Sequence, residues 1–224
     1  MKQSEIRPFS IAETEQVYER YMKQDFPPEE LKPFASIARM MEQGIYQAMG
    51  LFEEGELCAY SLFVLSSQDT FCLLDYLAVV KEKRGTGIGH CYFAKMKSYF
   101  QQHFPKVKGV FIECETLCNV TEPKMRADRE RRIAFYLDNG AVKTPLASKL
   151  FGVEYMILLL PLDEHQIKTC DTEEIHNKKE IAGEASTQLL KDQVDTIYRR
   201  MFQKKHYDTC VKLWIANESQ SEVL

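Results

Sequence analysis

The chain has 224 residues, 45% of them hydrophobic and 28% charged, with a formal net charge of -4. That length and apolar content suffice for a full core in one domain, with or without an extension. The acidic balance argues against a nucleic-acid partner, which calls for a basic face, and seven cysteines without regular spacing argue against a disulfide framework and for a reducing, cytoplasmic setting.

Residues 6–9 read as a short strand and 11–22 as a helix with Ile11, Tyr18 and Tyr21 on one side. Pro27 and Pro28 break the chain, and Glu29 and Glu30 suit the first turn of a new helix. Leu31, Phe34, Ile37, Ala38 and Met41 give that helix an apolar face with a period of about 3.6 residues, and Gly44 is its stop. Residues 46–52 and 57–65 flank Glu53-Glu54-Gly55-Glu56 as a hairpin. Residues 71–80 form an almost unbroken apolar strand. Then come a helix over 87–103, a strand over 107–114, a short helix over 129–139 ending at Gly140, and a strand over 153–160. Strands and helices alternate only from residue 71, so a mixed sheet with at least one parallel pair is expected.

Past Pro161 the composition changes. Residues 163–184 are polar and read as a linker or a weakly docked helix. Leu190, Val194, Ile197, Tyr198 and Met201 make one helical stripe, and Tyr207, Cys210, Val211 and Trp214 make a second, which suggests a helical hairpin. Such stripes need cover from this domain, a second subunit such as a homodimer partner, or another protein. The longest apolar stretch, 155–160, is too short to cross a bilayer, and Met1-Lys2-Gln3-Ser4-Glu5 lacks the apolar segment of a secretory signal. Cys114 and Cys118 are spaced like some zinc ligands, but nothing completes a site, so no metal is expected.

The most informative stretch is Leu74-Asp75-Tyr76-Leu77-Ala78-Val79-Val80, followed by Lys81-Glu82-Lys83 and Arg84-Gly85-Thr86-Gly87-Ile88-Gly89-His90. A buried strand runs into a glycine-rich turn that opens a helix. Unpaired N–H groups and the helix dipole make such a start a phosphate site. The loop is not a Walker A sequence, because no Gly-Lys-Ser/Thr closes it. It also lacks the spacing and the early position of a dinucleotide fingerprint. Taken alone, it could be no more than a tight strand-to-helix turn.

Arg84-x-x-Gly87-x-Gly89, five residues after Val79, resembles the acyl-CoA-binding motif of the GNAT N-acetyltransferase superfamily. Arg132-Ile133-Ala134-Phe135-Tyr136-Leu137-Asp138-Asn139-Gly140-Ala141 is similar to that family's later motif, A-x-x-F-Y-x-x-x-G-F. The resemblance covers about residues 1–162, its motifs residues 74–141, and uncharacterised bacterial members also look similar around 25–34. It implies an α/β fold with a central, mostly antiparallel sheet, one splayed parallel strand pair and flanking helices over 1–162. The linker and C-terminal helical hairpin over 163–224 follow as an extension.

The resemblance further implies acetyl-CoA as acyl donor and direct transfer of acetyl to a primary amine of a small molecule or peptide; the charge and the short apolar runs leave neither nucleic acid nor membrane as an expected partner. Leu77, Ala78 and Val79 would contact the pantetheine arm as an added strand does. The backbone N–H groups of Gly85, Thr86, Gly87, Ile88, Gly89 and His90 would hold the pyrophosphate, with Arg84 contributing more through its backbone than its charge. Tyr136 would protonate the thiolate leaving group, for which a tyrosine pKa of about 10 is suited. Glu113 would be the general base, with Glu115 on the same face of the strand and Asp75 and Tyr76 as further candidates. Solvent exposure or a salt bridge to Arg126, Arg129 or Arg131 would explain Glu113 equally. Where many members carry a cofactor-contacting Asn, seven residues before the tyrosine, this chain has Arg129; Asn119, earlier in a longer connection, takes its place as the candidate. Lys124, Arg126, Arg129, Arg131 and Arg132 read as a solvated face or as contacts to the CoA 3′-phosphate or an acidic substrate group. Ala141 stands where the family has Phe. A non-catalytic acyl-CoA-binding module, or an interaction protein acting through its C-terminal helices, are the alternative functions.

Overall fold

The computed structural model describes residues 4–118, 120–162 and 184–216. They form a mixed α/β structure divided into two compact units, Met1–Val107 and Lys108–Leu224.

In the first unit β1 (Ser4–Pro8), β2 (Tyr46–Glu53), β3 (Glu56–Val64) and β4 (Phe71–Val79) form an antiparallel sheet in that order. The predicted hairpin turns on Glu54 and Gly55, both at positive φ (52° and 84°), the geometry that matches strand twist. Successive side chains of β3 serve opposite layers. Tyr60 faces α1 (Ile11–Val17), which continues through a π-helical turn, Tyr18–Met22, into a last turn, α2 (Lys23–Asp25). Ser61 faces α4 (Ile88–His103), where its hydroxyl shares a hydrogen bond with that of Tyr92, and Phe63 packs its ring on Phe100. Ser10 and Glu13 form a reciprocal capping box at the start of α1.

One helix begins later than the sequence suggests. Pro27–Glu30 is a turn, and α3 (Phe34–Glu42) starts only after Pro33. The residue before a proline is driven out of helical conformation, so Lys32 is excluded from the helix. Its backbone groups are taken up by two tyrosines instead: Tyr18 Oη donates to Lys32 O (3.0 Å), and Lys32 N–H donates to Tyr76 Oη (3.0 Å).

In the second unit β5 (Gly109–Glu115), β7 (Val153–Pro161), β6 (Val142–Leu150) and β8 (Val211–Ile215) lie in that order, each pair antiparallel. β6 carries no clear strand signal in the sequence because Pro145 interrupts it. The β6–β7 register shifts between Lys143 and Ala147, which lets a residue without an N–H sit inside the strand. The helix expected from Arg129 is α5 (Pro123–Asp138), six residues longer at its start. Glu122 caps it by accepting from the N–H groups of Lys124 and Met125, with Pro123 at the first helical position.

The first C-terminal stripe is borne out. Leu190, Val194, Ile197, Tyr198 and Met201 of α6 (Glu184–Met201) are all buried within the chain itself. The second is not a helical face, so the predicted helical hairpin is corrected. α7 (Lys204–Cys210) ends at Cys210, and Val211-Lys212-Leu213-Trp214-Ile215 is the strand β8, paired with β6. Branched and aromatic residues favour the strand, and over so few residues their spacing also fits a helix. α6, α7 and β8 lie in the same compact unit as β5–β7, and the linker expected over 163–183 lies outside the described residues.

Candidate active site

The candidate residues fall in both units. In the first, Asp75 is an extra residue in β4: Leu62 and Phe63 of β3 face Tyr76 and Leu74, with Asp75 skipped. Such a bulge bends and twists the strand. Beyond it Leu77, Ala78 and Val79 are half-buried, while the strand before it is mostly buried. Asp75 is not a free carboxylate. Lys32 Nζ lies 2.8 and 2.9 Å from its two oxygens, and the Tyr46 hydroxyl donates to it. Tyr76 donates to Glu30 O (2.8 Å), and burial followed by the charge of Asp75 pushes its hydroxyl up to about 12. Both candidates from this strand therefore hold the segment that leads into α3, at Glu30 and Lys32.

After Val80 a 3-10 turn, Lys81–Lys83, leads into the glycine loop. Gly85 and Gly87 have φ of 73° and 83°, a region that costs other residues roughly 1–2 kcal/mol. Gly85, Thr86, Gly87 and His90 are exposed, Gly89 is half-buried, and Ile88 is tucked into the core. No side chain caps the start of α4, so an outside acceptor can meet the loop's N–H groups. The Thr86 hydroxyl donates to Lys83 O at 2.6 Å.

The Arg84 side chain braces the loop. Its Nε donates to Val79 O (2.9 Å), and its Nη2 pairs with Asp25, which also accepts from Tyr60 Oη at 2.8 Å. The Arg84–Asp25 brace was invisible in the sequence, because 59 residues separate the two.

In the second unit β5 presents its residues to two faces. Cys114 points toward α5, beside Tyr136, and Glu113 toward α6. Tyr136 is buried, and burial, then Cys114, raise its hydroxyl above the usual tyrosine range, with Arg132 opposing. Cys114 is pushed up to about 12, chiefly by burial. Glu113 accepts a hydrogen bond from the Tyr198 hydroxyl of α6. Burial, then the charge of Glu113, push Tyr198 well above its ordinary value.

Arginine pairing at β5 falls on Glu115 rather than Glu113. Arg129 Nη2 lies 2.6 Å and Arg132 Nη1 3.4 Å from Glu115, and Arg129 Nη1 donates to Thr116 O at 2.6 Å. The Nε of Arg129 is buried with no hydrogen-bond partner among the described residues. Arg126 pairs with Glu130 and Arg131 with Asp128 along the exposed helix face. Asn119 lies outside the described residues. No group of three or more His, Cys, Asp or Glu among the described residues is arranged to hold a metal ion, and none of the helices searched is long and apolar enough to cross a membrane.

No family model matches the sequence, and no curated protein matches it. Solved structures do match in shape. The ribosomal-protein-S18-alanine N-acetyltransferase of Escherichia coli is 12% identical with a TM-score of 0.50, over 78% of this chain and all of that one. The spermidine N-acetyltransferase of Vibrio cholerae, solved with CoA and spermine, is 7% identical with a TM-score of 0.52, over 71% of this chain and 96% of that one. An acetyltransferase from Desulfovibrio desulfuricans, described as of the GNAT family, is 15% identical with a TM-score of 0.51, over 72% and 100%. Shared shape at this low identity speaks for architecture, and on it the chain has the fold of the GNAT N-acetyltransferases.

Proposed function

We propose that this protein is an acetyl-CoA-dependent N-acetyltransferase acting on a primary amine of a small molecule or peptide. The observation that carries the reading is the glycine loop: exposed, uncapped, left-handed at Gly85 and Gly87, and set at the start of a helix directly after a bulged strand. Its N–H groups and helix dipole suit a pyrophosphate. Leu77, Ala78 and Val79 offer half-buried backbone to an extended arm. Acetyl-CoA would supply the activated acyl group; the resemblance assigns Glu113, on the α6 face of β5, to take a proton from the amine and Tyr136, on the α5 face, to give one to the departing thiolate. The neighbours that act on spermidine and on a protein alanine support an amine acceptor. The six described cysteines are free, which suits a reducing cytoplasm.

The test is calorimetric titration with acetyl-CoA, followed by CoA release against polyamines, amino acids and peptide N-termini. Turnover on one amine class supports the reading. Binding without turnover on any of them leaves an acyl-CoA-binding module.

Two variants probe the parts. Gly87→Val must force a branched side chain into left-handed backbone, so acetyl-CoA affinity should fall roughly tenfold. Unchanged affinity by calorimetry removes the loop from the site. Tyr136→Phe should lower kcat about 100-fold with little change in acetyl-CoA affinity. Because Tyr136 is raised above the usual range, it stays protonated as pH rises through that range. A pH–kcat profile of the wild type should therefore show no basic limb near the ordinary tyrosine value of about 10.

A further inference from the structure

Glu113 and Tyr198 are 85 residues apart in the chain and meet in the second unit. We propose that Tyr198 is a positioning residue for Glu113, which makes α6 a working part of the catalytic machinery. This rests on the acetyl-transfer reading above.

A tyrosine hydroxyl has one proton, and a carboxylate can only accept. The Tyr198 proton therefore goes to Glu113 Oε1, and Ser148 Oγ, 3.1 Å away, donates to Tyr198. Ser148 and Tyr198 are completely buried, and the Tyr198 ring is held against Phe202 with centroids 6.1 Å apart. The donor cannot swing away, so it fixes the direction of the carboxylate, and orientation of a base is worth a large share of its effect. Docking of α6 does not explain the hydroxyl. Leu190, Val194, Ile197 and Met201 supply the apolar face, and phenylalanine would serve as well at position 198. A buried hydroxyl is kept where it has a polar task.

Around this pair stand Tyr155 of β7 and Cys114 and Glu115 of β5, with Arg129 and Arg132 of α5 paired to Glu115. A hydrogen bond to the charged form favours that form. Removing it raises the pH at which Glu113 loses its proton. A base works deprotonated, so the acid limb of kcat/KM moves to higher pH.

The experiment compares the wild type with Tyr198→Phe. It follows the carbon-13 resonance of the Glu113 carboxyl against pH, the pH profile of kcat/KM for the amine, and acetyl-CoA affinity. Expected are an upward shift of about one pH unit in both the resonance and the acid limb, and unchanged acetyl-CoA affinity. Ser148→Ala frees the tyrosine hydroxyl while keeping its ring, and should shift both the same way by less. It carries the test if the phenylalanine variant does not fold. A resonance that does not move, or an acid limb that stays put, overturns the positioning role. If Glu113→Gln is inactive while Tyr198→Phe matches the wild type, the positioning role fails and acetyl transfer stands. A wild type that binds acetyl-CoA but acetylates no amine overturns the parent reading and this role with it.

Discussion

Glu113→Gln should lower kcat/KM for the amine acceptor by about 100-fold or more, with acetyl-CoA affinity unchanged. The amide matches the carboxylate in shape, and its carbonyl oxygen can still accept from Tyr198, so packing of α6 should persist. What disappears is the capacity to take a proton. An amine at neutral pH is mostly protonated and cannot attack a thioester, so loss of the base falls on the acceptor side. Raising the pH supplies neutral amine from solution, and the deficit should shrink accordingly. Steady-state kinetics from neutral to alkaline pH check both points. A variant as active as the wild type removes Glu113 from the chemistry and leaves it as a partner of Tyr198 alone.

The second large effect is on stability. Lys32→Met should destabilise the protein by about 3–5 kcal/mol, because it strips the cation from a buried carboxylate. The Asp75 side chain is 6% exposed and that of Lys32 21%, so water cannot readily replace the ammonium. At about 2–4 °C per kcal/mol, Tm should fall by roughly 10 °C. Asp75→Asn in the Lys32→Met background should recover most of the loss, since no uncompensated charge is left. Thermal melts of the two singles and the double check this. Function should suffer with stability in the single variant, because Asp75 forms the bulge that precedes Leu77, Ala78 and Val79.

The glycine loop was legible because anion binding by backbone is a local matter: strand, glycines and helix start are contiguous. Tyr136 was legible for the same reason, as part of a short helix-and-turn motif. The supports were not. Asp25 meets Arg84, Lys32 meets Asp75 and Tyr198 meets Glu113 across long stretches of chain, and a single sequence carries no mark of which polar side chains will be buried together. Tyr198 stood in plain view as one member of an apolar stripe, where its hydroxyl gave no sign of a task. The charged segment that opens α5 hid a helix, since only Ile133 and Tyr136 of it are buried and an apolar period was missing. The stop at Pro33 was also written in the sequence, but Glu29 and Glu30 after two prolines made an earlier start equally attractive.

The pairing of β8 with β6 also bears on how the protein behaves before it is complete. Along β6, Leu146, Ala147, Ser148 and Leu150 are buried, and each is matched by a residue of Ile215 to Val211. Until β8 emerges from the ribosome, β6 is an open edge, and such edges template aggregation. A premature stop within α7 would leave that condition permanent. Its mark would be accumulation in inclusion bodies rather than a catalytic defect.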